Sequence, residues 1–228
     1  MEKLINFIKK YEIEIQTTYL ELCKRGWEKM EKSIDPAHNT KHIDNILDNL
    51  GEFLESREIK QSKINFEVLL VAIYWHDVWK SMRMPDNIFA VLINQIWDGW
   101  GSAQIFKKEV QLKDEEKGKL RKVFWVIGNH PRDMTIHIPF RTYLETKILK
   151  DMDRLERWNI KRHDDFFEKL LIVRGEKNLK YVNWLVRFFQ EKYTLWSDSD
   201  KKYYFKWSRE EFKKRRGQYL REIRSQAI

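Results

Sequence analysis

Apolar positions along the chain recur every three to four residues, and no segment shows the two-residue alternation of a half-buried strand. Near the start, Leu4, Ile8, Tyr11, Ile15, Tyr19 and Leu22 share one face, which predicts an amphipathic helix over 2–25 closed by Gly26. A second helix is expected after "SIDPAHNTKH". Asp35 would cap it, with Pro36 at the first helical position, where the missing N–H leaves no bond unmade. Its stripe is Ile43, Ile46, Leu47, Leu50, Phe53 and Leu54. A third helix, from about Lys63, turns Phe66, Leu69, Leu70, Ile73 and Tyr74 inward; Asp77 continues this stripe and His76 borders it.

Residues 81–101 read as irregular around a short helix near 86–97, with "DGWG" as a break and Ser102 opening a helix through Val110. "DEEKGKLRKVFWVIGNHPRD" predicts a helix with Leu120, Val123, Phe124 and Ile127 inward, stopped by Gly128 and Pro131. Helices at about 140–158, 162–174 and 178–193 follow. Ser208 with Glu211 three residues on predicts a capping box for the last one. With neither an internal repeat nor a linker, the expectation is one all-α domain over 1–228.

Composition supports long helices: Gly 8 and Pro 4 are too few for a protein built on tight turns. Trp 10, Phe 13 and Tyr 9 supply a core despite 35% charged residues, so disorder is not expected. The single Cys23 excludes an intramolecular disulfide and a cysteine-based zinc site. The charged start lacks a signal-peptide core, and no run of about 18 apolar residues occurs. A soluble, cytoplasmic protein that does not enter membranes is therefore expected. The net charge of +9 favours polyanionic partners, from nucleotides to nucleic acid. Much of it lies in "FKKRRGQYLREIR", which reads either as a solvated helix face or as a binding surface. The aromatic and basic residues of "YYFKWSREEFKKRR" would stack bases in the second case and pack a core in the first.

The chemistry concentrates in "AIYWHDVWK", where His76 and Asp77 interrupt an apolar run. Burying such groups without partners costs about 1–3 kcal/mol each, and more for a charge. Either each finds an ordinary hydrogen bond or together they hold a cation. Elsewhere, His42 flanks the stripe of the second helix, and "KILKDMDRLERW" places Asp151 and Asp153 near a late apolar face. Two imidazoles and two carboxylates from three helices form an N/O donor set that suits a divalent ion: Mn, Mg, Ni, Co, Fe or Zn. Asp151 and Asp153 lie about 200° apart on a helix, so both cannot face one ion, and periodicity leaves open which does. The second His-Asp pair, His163-Asp164 in "KRHDDFF", stands in a charged setting and reads as solvated.

Further candidates surround this set. His130 in "IGNHPRD" suits a proton donor, a second-metal ligand or a simple helix-end hydrogen bond. His38, one turn before His42, suits a supporting or substrate contact. Arg154 suits phosphate binding or a structural ion pair.

The order His42, His76-Asp77, Asp153 resembles the H…HD…D signature of the HD superfamily of metal-dependent phosphohydrolases. "AHNTKHI", "AIYWHDV" and "GSAQIF" are similar to a bacterial group of HD phosphohydrolases of undefined substrate. The likeness covers about residues 34–160. It implies an HD-domain-like helical bundle carrying additional C-terminal helices over about 161–228. It also implies a metal held by His42, His76, Asp77 and Asp153, the Asp-Arg-Leu pattern selecting Asp153. Lys80 matches a lysine common after the HD pair and is assigned to phosphate neutralisation, beside Asp77 as ligand and orienter. The implied activity is attack of metal-activated water on the phosphorus of a nucleotide or small phosphate ester. The chain departs from that group in "DMDRL", with a large residue between the aspartates, and in having no acidic residue directly before "SAQ". Two other readings stand beside this one. One is a non-catalytic helical protein binding nucleic acid or a protein partner through its basic C-terminal surface. The other is a diiron oxygenase, which would need more ligands than His38 and His130 readily provide.

Overall fold

The computed structural model describes residues 1–35, 38–83, 88–112, 118–130, 142–156, 158 and 202–226; side chains are described for all of these except 88–95 and 223–226. Among the described residues the protein is all-α, without strands. The expected helices near 162–174 and 178–193 lie outside them.

The centre is α4, Phe66–Trp75, in which every side chain from Glu67 to Trp75 is buried. A helix that is apolar all round has to be covered on all sides. Here α2 (Thr17–Glu31), α6 (Ile88–Glu109), α7 (Lys119–Asn129) and α8 (Leu144–Glu156) cover it. α3 (Thr40–Glu55) packs chiefly on α8 and also touches α4 and α2, and is itself backed by α1 (Glu2–Lys10). A four-residue helix, α5 (Val78–Ser81), continues beyond α4 and packs on α6, while α9 (Lys206–Gln226) closes over α8. Asn65 starts α4 with its side-chain oxygen on the Val68 N–H, so the helix begins three residues later than Lys63 suggested.

Three expectations near the N-terminus are corrected. The helix expected over 2–25 is two helices, because Glu12 adopts a left-handed φ of 51° and the chain turns there. Tertiary bonds secure the break: Tyr11 donates to Glu55 and the Gln16 N–H donates to Glu67. Gly26 does not end a helix but lies buried inside α2, where its bare Cα lets the backbone approach α4. A Cβ there would stand 2.7 Å from the Tyr74 carbonyl oxygen and 2.9 Å from Trp75 Nε1. Finally, α3 is capped by Asn39, whose side chain accepts from Lys41 and His42 N–H, and not by Asp35, whose carboxylate bonds His38.

Two further corrections matter for the site. "DGWG" is not a break, since α6 runs through it without interruption. Local chemistry favours a turn, but Gly101 lies against the Trp79 ring where any Cβ would collide, and Ser102 Oγ accepts the Trp79 N–H. Tertiary packing overrides the local signal. At the other end, Ser208 is buried within α9 rather than capping it. The Glu58 carboxylate instead accepts the N–H groups of Lys206 and Trp207 at the helix start. The basic tail is partly committed too, because Arg215 bonds Asn49 and Glu52 of α3.

The close approach at Gly26 has a diagnostic consequence. Helix propensity alone favours Ala over Gly by about 1 kcal/mol. Gly26→Ala is expected to destabilise instead, by about 1–3 kcal/mol of overpacking, because a backbone carbonyl must move. Urea unfolding of the two proteins measures the sign, and a stabilised variant would contradict the packing described.

Candidate metal centre

Three helices bring the expected residues together. Asn39 starts α3 so that His42 enters on its first turn, beside the buried Ile43 and Ile46. His76 ends α4 with helical dihedrals, whereas Asp77 departs from them (φ −110°, ψ 12°) and turns the chain into α5. The Asp77 carboxylate makes no capping bond to α5 and faces inward. Asp153 comes from α8. One donor atom from each of His42, His76, Asp77 and Asp153 lies within 4.8 Å of all the others. His42 Nε2 stands 3.1 Å from His76 Nε2, 3.2 Å from Asp77 Oδ2 and 3.6 Å from Asp153 Oδ1. His76 Nε2 is 3.3 Å from Asp77 Oδ2.

The protons decide what this cluster can do. His76 Nδ1 lies 2.7 Å from the carbonyl of Ile73, which can only accept, so Nδ1 carries the hydrogen. His42 Nδ1 lies 3.2 Å from the buried Glu156 carboxylate, an electrostatic contact that favours a hydrogen on Nδ1. Both Nε2 atoms of the neutral rings are then lone pairs, and they point at each other and at two carboxylates. Four acceptors converge with no donor among them. Either a proton or a metal ion has to sit between them, and a carboxylate behind the histidine is the usual support of a metal ligand. The donor set fits a divalent ion of the Mn, Mg, Ni, Co, Fe or Zn kind.

In metal-free protein the proton is held here. Burial opposes a charge on His76, but the Asp77 carboxylate, its hydrogen bond, Asp153 and the Ile73 carbonyl together raise the ring to about 8. Asp77 is held well below the ordinary carboxylate range: burial works against its charge, but His76, Lys80 and His38 outweigh it.

Around the cluster the structure places the other candidates. His38 hydrogen-bonds Asp35 at 2.7 Å through Nδ1, and its Nε2 lies 3.6 Å from Asp77 Oδ2. Burial lowers its basicity. Lys80 Nζ lies 3.3 Å from Asp77 Oδ1 and pairs with Asp98. His130 ends α7, and its Nδ1 donates to the Ile127 carbonyl at 2.6 Å, repeating the device of His76. Its Nε2 is 3.6 Å from Asp77 Oδ1, and its ring meets His76 edge-on. Burial brings the ring down to about 4, so it is neutral at ordinary pH. Arg154 is not among these groups: buried, it donates to the carbonyl of Lys202 and ties the C-terminal segment to α8.

Asp151 and Asp153 face different partners. Asp151 is buried and accepts the N–H groups of Tyr204 and Phe205 at 3.0–3.1 Å. Burial pushes its carboxyl up to about 6 against those bonds. The two residues that sequence reasoning missed are Glu156 and Asp98. Glu156, one helical turn after Asp153, backs His42 and accepts from Asn45. Asp98 was hidden by reading "DGWG" as a turn. On a continuous helix it stands one turn before Ser102 and pairs with Lys80.

The deepest donors are sealed, with His42, His76 and Asp77 side chains only 0–2% exposed. Asp153 (14%), Lys80 (19%) and His38 (20%) mark the side open to solvent. An ion here would be held from the buried side by His42, His76 and Asp77, with Asp153 at the partly exposed edge.

Comparison with protein-family models, curated proteins and solved structures gave no match to this chain. The described site is that of a helical protein with a buried His/Asp cluster able to hold a metal, compatible with an HD-type centre. No helix among the described residues is long and apolar enough to cross a membrane.

Two outcomes are expected. The His76 pKa is raised above its ordinary 6.5, so its charged form adds stability to the metal-free protein below that pH, and this is lost as pH rises through about 8. The contribution is about 2 kcal/mol. A divalent ion needs the neutral ring, so Mn²⁺ should raise the melting temperature more at about pH 8.5 than at about pH 6. Melts with and without the ion at both pH values check this; an equal or larger effect on the acid side would contradict it. The aspartates should also separate. Asp153→Asn is expected to weaken Mn²⁺ binding at least tenfold, by analogy with the loss of a metal-site contact. Asp151→Asn should leave binding intact and destabilise by about 1–3 kcal/mol through the amide bonds it holds. Titration calorimetry and urea unfolding of the pair measure both effects.

Proposed function

We propose that the protein is a metal-dependent phosphohydrolase of the HD type, acting on a nucleotide or another small phosphate ester. The observation that carries this reading is the convergence of four acceptors, three buried and Asp153 half-buried, with the partly exposed Lys80 and His38 beside them. A substrate phosphate needs positive charge beside the ion, and Lys80 supplies it at the partly exposed edge of the cluster.

His42, His76, Asp77 and Asp153 are the proposed ligands of the ion. When bound, a divalent ion supplies Lewis-acid charge that lowers the pKa of water and polarises a phosphoryl oxygen. Asp77 has a second duty, since its Oδ1 orients the Lys80 ammonium at 3.3 Å. Lys80 reaches the open side and counters negative charge on the phosphoryl group and on the oxygen that departs. His38, held by Asp35 in one tautomer and orientation, is placed to accept or return a proton at Nε2. His130 is sealed beneath Asp77 and neutral, so it does not meet substrate in this reading. Arg154 has no part in this reading, its guanidinium being engaged by Lys202.

The test is hydrolysis of a panel of nucleoside mono-, di- and triphosphates, cyclic nucleotides and simple phosphate monoesters with Mn²⁺, Mg²⁺, Ni²⁺ or Co²⁺ added. Turnover should require metal and fall at least a thousandfold in Asp77→Ala, about 4 kcal/mol of barrier. Metal-loaded, folded protein that turned over nothing in the panel would overturn the proposal. Salt-sensitive nucleic-acid binding that persists in Asp77→Ala would instead point to the basic C-terminal helix.

A further inference from the structure

Beside the four-acceptor cluster lies a second group, Asp77, Asp98 and His130, whose donor atoms also fall within 4.8 Å of one another. The two groups share one residue and divide its oxygens. Asp77 Oδ2 faces His42 and His76, whereas Oδ1 faces Lys80 at 3.3 Å and His130 Nε2 at 3.6 Å. His130 Nε2 is also 3.8 Å from Asp98 Oδ2. Its Nδ1 hydrogen is committed to Ile127, so Nε2 of the neutral ring presents a lone pair. Asp98 is buried (side chain 4% exposed), and its Oδ1 has no hydrogen-bond partner. Two carboxylates and a nitrogen lone pair thus surround one position, as ligands surround an ion. An ammonium is already among them, because Lys80 contacts both Asp77 and Asp98.

We propose that the Lys80 ammonium takes the place of a second divalent ion, so that the native centre binds one metal and loss of the lysine charge converts it into a two-metal centre bridged by Asp77. This rests on the metal reading of the first cluster and adds to it how many ions the site takes. Coulomb repulsion is the reason the two occupants exclude each other: an ammonium and a divalent ion sharing the same two carboxylates would stand within a few ångströms in a poorly solvated place. With the lysine neutral, Asp77 and Asp98 are left as buried carboxylates without a counter-charge, and a second ion is the available remedy. Lysine then supplies, as a fixed point charge, part of what the second ion supplies to a phosphoryl group in two-metal enzymes.

The test counts ions. Wild type, Lys80→Gln, Lys80→Arg and Lys80→Gln/Asp98→Asn are each dialysed against Mn²⁺ and analysed for bound metal per chain, with electron paramagnetic resonance of the bound ions. Wild type and Lys80→Arg are expected to hold one ion with an uncoupled spectrum. Lys80→Gln should hold two, with the exchange-coupled signal of a carboxylate-bridged pair, and the added Asp98→Asn should return the count to one. Lys80→Ala provides the same comparison through a different side chain, and thermal melts verify that each variant is folded. Two ions in wild type, or one in both folded neutral variants, would overturn this inference while leaving the metal reading intact. No bound ion in wild type would overturn the metal reading itself.

Discussion

The structure depends on how the C-terminal end of α4 is satisfied. A helix buried on every side must end somewhere, and its last carbonyls and the side chains beyond them still need partners. The Ile73 carbonyl takes the Nδ1 hydrogen of His76, three residues on, which settles the carbonyl and aims the opposite nitrogen at the core. α7 ends in the same way, with His130 on Ile127. A local device for finishing a helix thereby fixes the tautomer and direction of two imidazoles. Their Nε2 atoms lie on either side of Asp77, the residue at which the chain leaves α4. Secondary structure and chemistry are joined here by one hydrogen bond per helix.

From that end outward, the charges alternate in a way that burial demands. The acceptors of the first cluster need a cation, the carboxylates of the second already have Lys80, and His42 has Glu156 behind it. Leaving any of these unpaired would cost about 1–3 kcal/mol for a polar group and more for a charge. A domain stable by about 5–15 kcal/mol does not tolerate several such losses. The His38 and Asp35 pair is less sealed, with the His38 side chain partly exposed.

The all-α architecture and the main helices were legible because burial stripes at helical spacing survive folding: the faces of α3 and α7 are largely those the apolar positions indicate, whereas α4 is buried all round rather than along its expected stripe. The coming together of His42, His76, Asp77 and Asp153 was legible as an order along the chain, not as a distance. What failed was punctuation. Gly26, "DGWG" and Ser208 are all residues whose local preference is to end or begin a helix. In each case a tertiary neighbour decided otherwise: Trp75 under Gly26, Trp79 under Gly101, and Glu58 at the start of α9. The missed Asp98 follows directly from the second of these, since a carboxylate in an apparent turn looks solvated. Glu156 was hidden for a different reason. A carboxylate that only backs another ligand has no motif of its own beyond its spacing from Asp153.

α8 shows why the separation of two aspartates on one helix matters. Residues two apart point about 200° from each other, so a helix lying between two bodies can serve both. Asp153 turns toward the His cluster, and Glu156, one helical turn on, reaches His42. Asp151 turns the other way and holds the backbone that leads into α9, where Phe212 and Tyr219, with Phe205 just before the helix, are buried. Trp158 packs on Phe212 and Tyr219, and Arg154 on the Lys202 carbonyl adds a further tie. The position of one proposed ligand is therefore set by a helix whose opposite face is clamped by the C-terminal segment. That segment supports the centre without contributing a donor to it, as α2 supports the His76 end of α4 through Gly26 and the Trp75 indole bond to Leu22. Precision at four converging atoms is in this way a property of packing well outside them.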